Sequence, residues 1–150
     1  MIEGGPPRHY HRNTATADHP NVEFVRRGFT ALEDGDIDTA ISQFSPDLLY
    51  VGSDQFGRVR EFRSRDEFFG MVLEAMALHD EYSNDVVDAY AVGDSLVMVH
   101  VRGHRRARAT GEVLDTDLVM SLRIDDGVIT HAFDLIDARA EDYLRRLQGS

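Results

Sequence analysis

Two periodicities in a fixed order predict an α+β fold. Through the first half of the chain apolar residues recur at helical spacing, interrupted by one short extended run; from Val86 they alternate in four long runs separated by hairpin sequences. No internal repeat is present, and the helices are too short to bury their apolar faces on one another. A single mixed or antiparallel sheet therefore has to curl around three N-terminal helices.

Residues 1–18 are rich in Gly, Pro, His and Thr and almost free of aliphatic side chains, which predicts a flexible arm ahead of one domain over 19–150. His9 and His11 in the arm read as solvated residues, and no metal site is predicted. Pro20 suits a first helical turn, and Val22, Val25, Phe29 and Leu32 keep helical spacing to a stop at Gly35. Asp36 caps a second helix with the stripe Ile37, Ala40, Ile41 and Phe44, ended by Pro46. Leu48 to Ser53 reads as a strand, and the stretch holding Arg58, Arg60, Arg63 and Arg65 as a polar loop, near the mouth of any pocket. Ser64 and Glu67 form a capping box ahead of Phe68, Phe69, Val72, Leu73 and Met76. Strands are then expected over Val86 to Val92, Leu96 to Arg106, Val113 to Ile124 and Val128 to Ile136, joined by short turns as an antiparallel meander, with a last helix over Ala138 to Leu147.

Composition excludes whole classes of chemistry. The chain has 150 residues, 16 basic side chains that are all Arg, 27 acidic ones, a net charge of −11, and no Cys, Lys or Trp. Thiol nucleophiles, Cys-ligated zinc, Schiff bases and a P-loop lysine are ruled out. A strongly negative chain is a poor partner for nucleic acid or anionic membranes. The first twenty residues lack an apolar core and no run of about 18 apolar residues occurs, so a soluble cytoplasmic protein is expected. No Gly-rich phosphate loop, GxSxG elbow or His-rich zinc string occurs, leaving carboxylates, His and Tyr as the acid and base groups, with no cofactor.

Parity along the meander sets a register. Pairing Val97, Val99 and Val101 on one face with Leu118, Met120 and Leu122 places Arg102 beside Asp117 and His104 beside Asp115 on the other. The face of Asp134 depends on the last hairpin. A three-residue Asp125-Asp126-Gly127 loop puts Thr130, Ala132, Asp134 and Ile136 on the apolar face, with Asp134 beside Leu118; a two-residue Asp126-Gly127 turn puts Asp134 with His100 and Arg102.

The strings FTALEDGDIDTAISQFSPD and DDGVITHAFDLID followed by YLRRLQG, in this order and spacing, resemble the SnoaL-like branch of the nuclear transport factor 2-like superfamily, over about residues 19–149. Ketosteroid isomerases and scytalone dehydratase-like enzymes share that superfamily. The resemblance implies a cone-shaped α+β barrel, a bent sheet over helices with a pocket inside, and commonly a homodimer across the outer face of the sheet. The Tyr and Asp of ketosteroid isomerases fall at Gly28 and Gly52 here, so that dyad is not reproduced. The resemblance also implies that Ala132 and Ile136 line the pocket, which favours the three-residue loop and an inward Asp134.

An aspartate base is used by SnoaL-like cyclases, and a carboxylate among aliphatic side chains has a raised pKa suited to proton abstraction next to a carbonyl. Asp134 is therefore the first candidate, with a salt bridge to Arg at the cone's edge as its alternative role; Asp54, on the face of Tyr50 and Gly52, is the second. Tyr50 is the expected polar contact, and Phe68, Val72, Met76, Val101, Leu118, Met120, Ala132 and Ile136 the expected walls. His131 and Asp137 point away from Asp134 in a regular strand. The expected function is a cofactor-independent cyclase, isomerase or dehydratase acting on a small apolar carbonyl compound, such as a polyketide-like molecule; the alternative is a non-catalytic ligand-binding or interaction module of the same fold.

Overall fold

A computed structural model of the protein describes residues 15–16 and 18–148. Helix α1 (Pro20–Glu33) starts where His19 Nδ1 accepts from the Asn21 amide at 3.0 Å, and α2 (Ile37–Ser42) where Asp36 accepts from the Thr39 amide and hydroxyl at 3.2 and 2.6 Å. Helix α3 (Arg65–Ala77) carries the expected cap: Ser64 Oγ accepts from the Glu67 amide, and Glu67 Oε1 reaches back to the Arg63 amide, each at 3.0 Å. Helix α4 (Ala138–Gln148) is capped by Asp137, whose carboxylate accepts from the Ala140 amide at 2.9 Å. No helix among the described residues is long and apolar enough to cross a membrane.

The strands are β1 (Ala15–Thr16), β2 (Phe44–Ser53), β3 (Val59–Phe62), β4 (His79–Val92), β5 (Leu96–Ala107), β6 (Val113–Asp125) and β7 (Val128–Ile136). They form one open sheet in the order β1-β4-β5-β6-β7-β2-β3, antiparallel except for the parallel pair β2–β7. The sheet curves over α1 and α3, and Val22, Val25, Phe68 and Phe69 pack on Leu48, Ala89, Val97, Val99 and Leu122. A second cluster, Ala107, Leu114, Ala140, Tyr143 and Leu147, seats α4.

Four elements differ from the sequence expectation. The second helix stops at Ser42, because the Gln43 carbonyl accepts from the Ile129 amide at 2.8 Å and draws the chain into pairing with β7; Pro46 lies in β2 where the register slips between Phe44 and Leu49, the place a strand tolerates a missing N–H. The Arg-rich stretch is not all loop, since Val59–Phe62 pairs with β2 as an edge strand; only Phe62 is buried, so its sequence shows no apolar alternation. Strand β4 begins seven residues before Val86, and its polar first half is held by pairing with β5. The expected arm is not wholly free, as Ala15 and Thr16 pair with Val92 and Ala91; His9 and His11 lie outside the described residues.

Register on β5 and β6 matches the parity argument: Val97, Val99 and Val101 face Leu122, Met120 and Leu118, and Arg102 and His104 face Asp117 and Asp115. The β6–β7 connection is the two-residue turn, with Asp126 at φ 52° and Gly127 at φ 82° between paired Asp125 and Val128. A bulge then intervenes, for Ile124 pairs with Ile129 and Arg123 with His131, leaving Thr130 extra. That one residue restores the inward parity, and Asp134 comes to lie opposite Met120 rather than beside Leu118.

Ser64→Ala removes an acceptor that α3 needs at its first turn, and is expected to lower stability by about 1 kcal/mol. A reduced urea midpoint with unchanged slope is the expected result; an unchanged midpoint would show that the cap is dispensable.

Candidate functional site

Side chains from the concave side of the sheet, α1 and α3 enclose a cavity of about 190 Å³. Its walls include Val25, Phe68, Val72, Val101, Leu118, Met120 and Ile136, and Tyr50, Asp54 and Asp134 border it. Met76 and Ala132 are not among its lining residues. On α3 the lining residues are Phe68, Phe69, Met71, Val72 and Ala75, all in the first three turns, and Met76 in the last turn falls beyond them; Ala132 is covered within the apolar core. None of Arg58, Arg60, Arg63 and Arg65 lines the cavity; Arg60 lies 4.5 Å from the centre of the Phe62 ring and Arg65 donates to the Phe44 carbonyl.

Strand β2 brings Tyr50 and Gly52 alongside β7, with Tyr50 paired to Ala132. The Tyr50 hydroxyl donates a short hydrogen bond to Asp134 Oδ2, and the Ser53 amide donates to Oδ1 at 3.3 Å. Tyr50 is held by a stacked Phe68 ring at 4.0 Å and an edge-on Phe62 ring at 6.1 Å. Both recorded partners of Asp134 are neutral. Burial pushes its carboxyl up, and the hydrogen bonds from Tyr50 and Ser53 offset part of that shift. Burial and the adjacent carboxylate push the Tyr50 phenol well above its ordinary range, so it stays a donor.

Asp54 has a different task. Its Oδ1 accepts from the Phe56 and Arg58 amides at 2.9 and 3.0 Å and so organises the turn between β2 and β3. The two glycines at the ketosteroid isomerase positions each make room for a polar side chain from elsewhere. A Cβ on Gly28 would lie 2.1 Å from Gln43 Oε1, and one on Gly52 would lie 2.0 Å from Asp134 Oδ1. The carboxylate that lies over Gly52 belongs to Asp134 and reaches it from β7.

His131 and Asp137 do not join Asp134: His131 is exposed against Thr130, and Asp137 caps α4. On the convex face, Asp117 accepts from His100 and Arg102, while His104 sits between Asp115 and Glu81 at 2.7 and 2.8 Å. The His100 hydrogen bond holds the Asp117 carboxyl below its ordinary range, and the carboxylates, Glu81 first, raise His104. These pairs are solvated and lie on the opposite side of the sheet from the cavity.

Sequence reasoning missed a second polar group in the lining: His79, Tyr82, Asn84, Arg105 and Thr116. The signal was there in two patterns. His79 continues the α3 stripe after Phe68, Val72 and Ala75, and Arg105 continues the inward odd positions 97, 99 and 101 of β5. Among the described residues no group of three or more His, Asp or Glu is placed to hold a metal ion.

A family model described as a SnoaL-like domain matches residues 25–132. Among solved structures, TerC co-crystallised with polyporic acid is 20% identical with a TM-score of 0.72, covering 85% of this chain and 99% of its own. IdmH, a candidate polyketide cyclase from Streptomyces antibioticus, is 18% identical with a TM-score of 0.70, covering 84% and 98%. A hypothetical protein with a ketosteroid isomerase-like fold from Catenulispora acidiphila DSM 44928, in complex with trimethylamine, is 17% identical with a TM-score of 0.66, covering 77% and 86%. At these identities the likeness shows the fold. A comparison with curated proteins finds no match.

The tight seat of the carboxylate over Gly52 has a direct test. Gly52→Ala is expected to destabilise by about 1–3 kcal/mol and to do so much less when Asp134 is already Ala. Equal penalties in the two backgrounds, measured by chemical denaturation, would mean that the glycine does not serve to admit the carboxylate.

Proposed function

From its membership of the SnoaL-like family, within the nuclear transport factor 2-like superfamily, and from the environment of one carboxylate, we propose that this chain is a cofactor-independent acid/base enzyme of the cyclase, isomerase or dehydratase kind, acting on a small carbonyl compound. The observation that carries the reading is Asp134: an inward carboxylate in a largely apolar cavity, partnered by a phenol and an amide. Neighbours of the same fold crystallised with polyporic acid and with trimethylamine support a small-molecule occupant.

The chemistry follows from that environment. Asp134 accepts a proton from carbon next to a substrate carbonyl, and the C–H electron pair moves onto the carbonyl oxygen as an enolate. Returning the proton at another carbon is isomerisation; attack of the enolate carbon on a second carbonyl closes a ring. Tyr50 holds Asp134 in one rotamer and favours its charged form, which keeps the base available despite burial. Asp54 is assigned to shaping the loop at the cavity edge rather than to proton transfer, since one of its oxygens is committed to two backbone amides.

Catalysis by Asp134 needs its ionised form, so turnover is expected to fall as pH drops through a midpoint above the ordinary aspartate value of about 3.9. The same midpoint is readable without substrate, from carboxyl carbon chemical shifts. Tyr50→Phe removes a hydrogen bond to the charged form, so the midpoint moves further up; Asp134→Asn abolishes turnover while ligand affinity is kept. An ordinary midpoint that ignores Tyr50→Phe, with Asp134→Asn unchanged in turnover, would sink the reading.

The proposal includes a homodimer across the convex face. Val119, Phe133 and Leu135 are 42%, 48% and 63% exposed there on adjacent strands, an apolar patch that association would cover. Light scattering at micromolar concentration is expected to give twice the mass of the chain, and a monomeric mass would overturn this part.

A further inference from the structure

Arg105 is a cation on the inner face of a chain whose net charge is −11, yet its recorded partners are all neutral. Its Nη1 donates to the Ser83 and His104 carbonyls at 2.7 and 3.0 Å, and its Nη2 donates to Asn84 Oδ1 at 2.8 Å. The guanidinium carbon lies over the Tyr82 ring, 3.7 Å from its centre, and the side chain folds back over Gly103. Those bonds use three of the five N–H groups of a guanidinium. The side chain is therefore rigidly held, with two donors left and its charge uncompensated, while it borders the cavity.

His79 flanks the same ring, 5.6 Å from Tyr82 and stacked at 5.9 Å on Tyr143. It is only 4% exposed. Its Nδ1 lies 2.6 Å from the Ala75 carbonyl, an acceptor, so Nδ1 carries the proton and Nε2 the lone pair. Nε2 is buried and has no hydrogen-bond partner among the described residues. Burial, reinforced by the Arg105 charge, lowers the pKa of the ring and keeps that lone pair free. A buried acceptor left unsatisfied is costly, and a hydroxyl donor from a ligand would satisfy it.

We infer that the end of the cavity formed by His79, Tyr82, Asn84 and Arg105 is a recognition subsite for an oxyanion accompanied by a hydroxyl, so that the occupant is a hydroxylated carboxylic acid or an equivalent oxyanion rather than a wholly apolar carbonyl compound. Arg105 takes the anionic oxygens, His79 Nε2 accepts from the hydroxyl, and the apolar walls take the carbon skeleton. The inference rests on the reading of this cavity as the ligand site and deepens it: Asp134 and Arg105 are unpaired charges of opposite sign in one enclosure, which orients an acidic substrate with its anionic end away from the base.

Titration calorimetry of the full chain with 3-hydroxybenzoate, benzoate, 3-hydroxybenzamide and 2-naphthol tests this. The first is expected to bind roughly tenfold more tightly than benzoate and than 3-hydroxybenzamide, as expected for one charge-assisted or buried hydrogen bond. Arg105→Gln is expected to erase the advantage over the amide. His79→Asn, which can keep a donor toward Ala75 but lacks Nε2, is expected to erase the advantage over benzoate. The wild-type comparison needs no variant to fold: equal affinity for acid and amide overturns the subsite. Binding of 2-naphthol without any preference for the acids refutes the subsite and leaves the cavity reading standing, whereas no binding by any of the four removes both.

Discussion

Parallel pairing between β2 and β7 is the contact on which the rest of the interior depends. Every other strand pair is antiparallel, and those can be made by hairpins or by neighbouring strands in a simple meander. This one requires the chain to leave α2 and return to the far edge of that meander, where the Gln43 carbonyl accepts from the Ile129 amide. It sets Tyr50 beside Ala132 and Gly52 beneath the Asp134 carboxylate. It also supplies the strand to which β3 adds, and so the Phe62 ring that, with Phe68, fixes the phenol. Without it Asp134 would stand on an open sheet edge in contact with water, with an ordinary acidity.

Sheet and solvent divide the charges of the molecule into two populations. On the convex face carboxylates meet His and Arg in pairs and triads, as around Asp117 and His104. Such exposed pairs contribute little to stability, because water screens them and the side chains lose freedom in forming them. On the concave face the partners of Asp134 and Arg105 among the described residues are all neutral. Keeping an ionised group there works against folding, since desolvation is not repaid by an opposite charge.

Much of this was legible in the residues. The long strands follow from period-two alternation, and Val101, Leu118 and Met120 fall on the concave side by parity alone. The capping residues Asp36 and Ser64 act as their positions imply. What was not legible has physical causes. Val59–Phe62 buries one side chain and exposes three, so it carries no apolar signature. The first half of β4 faces the polar end of the cavity on one side and solvent on the other, and polar residues suit both. Asp134 reached the expected face by a different path, a two-residue turn corrected by the Thr130 bulge, because two changes of parity cancel. Arg105 followed the alternation of its own strand and His79 the spacing of the helix before it, yet an Arg among other Arg residues and a His just past a helix end look like surface, and only burial distinguishes them.

The Thr130 bulge makes chain length in the last hairpin as informative as residue identity. Between this bulge and Ile136, adding or removing one residue would exchange Ala132, Asp134 and Ile136 for His131, Phe133 and Leu135. The acid would then leave the lumen and two large apolar side chains would enter it. Divergence in this arm is therefore open to substitution but closed to single-residue insertions and deletions, unless a second one compensates within the same hairpin.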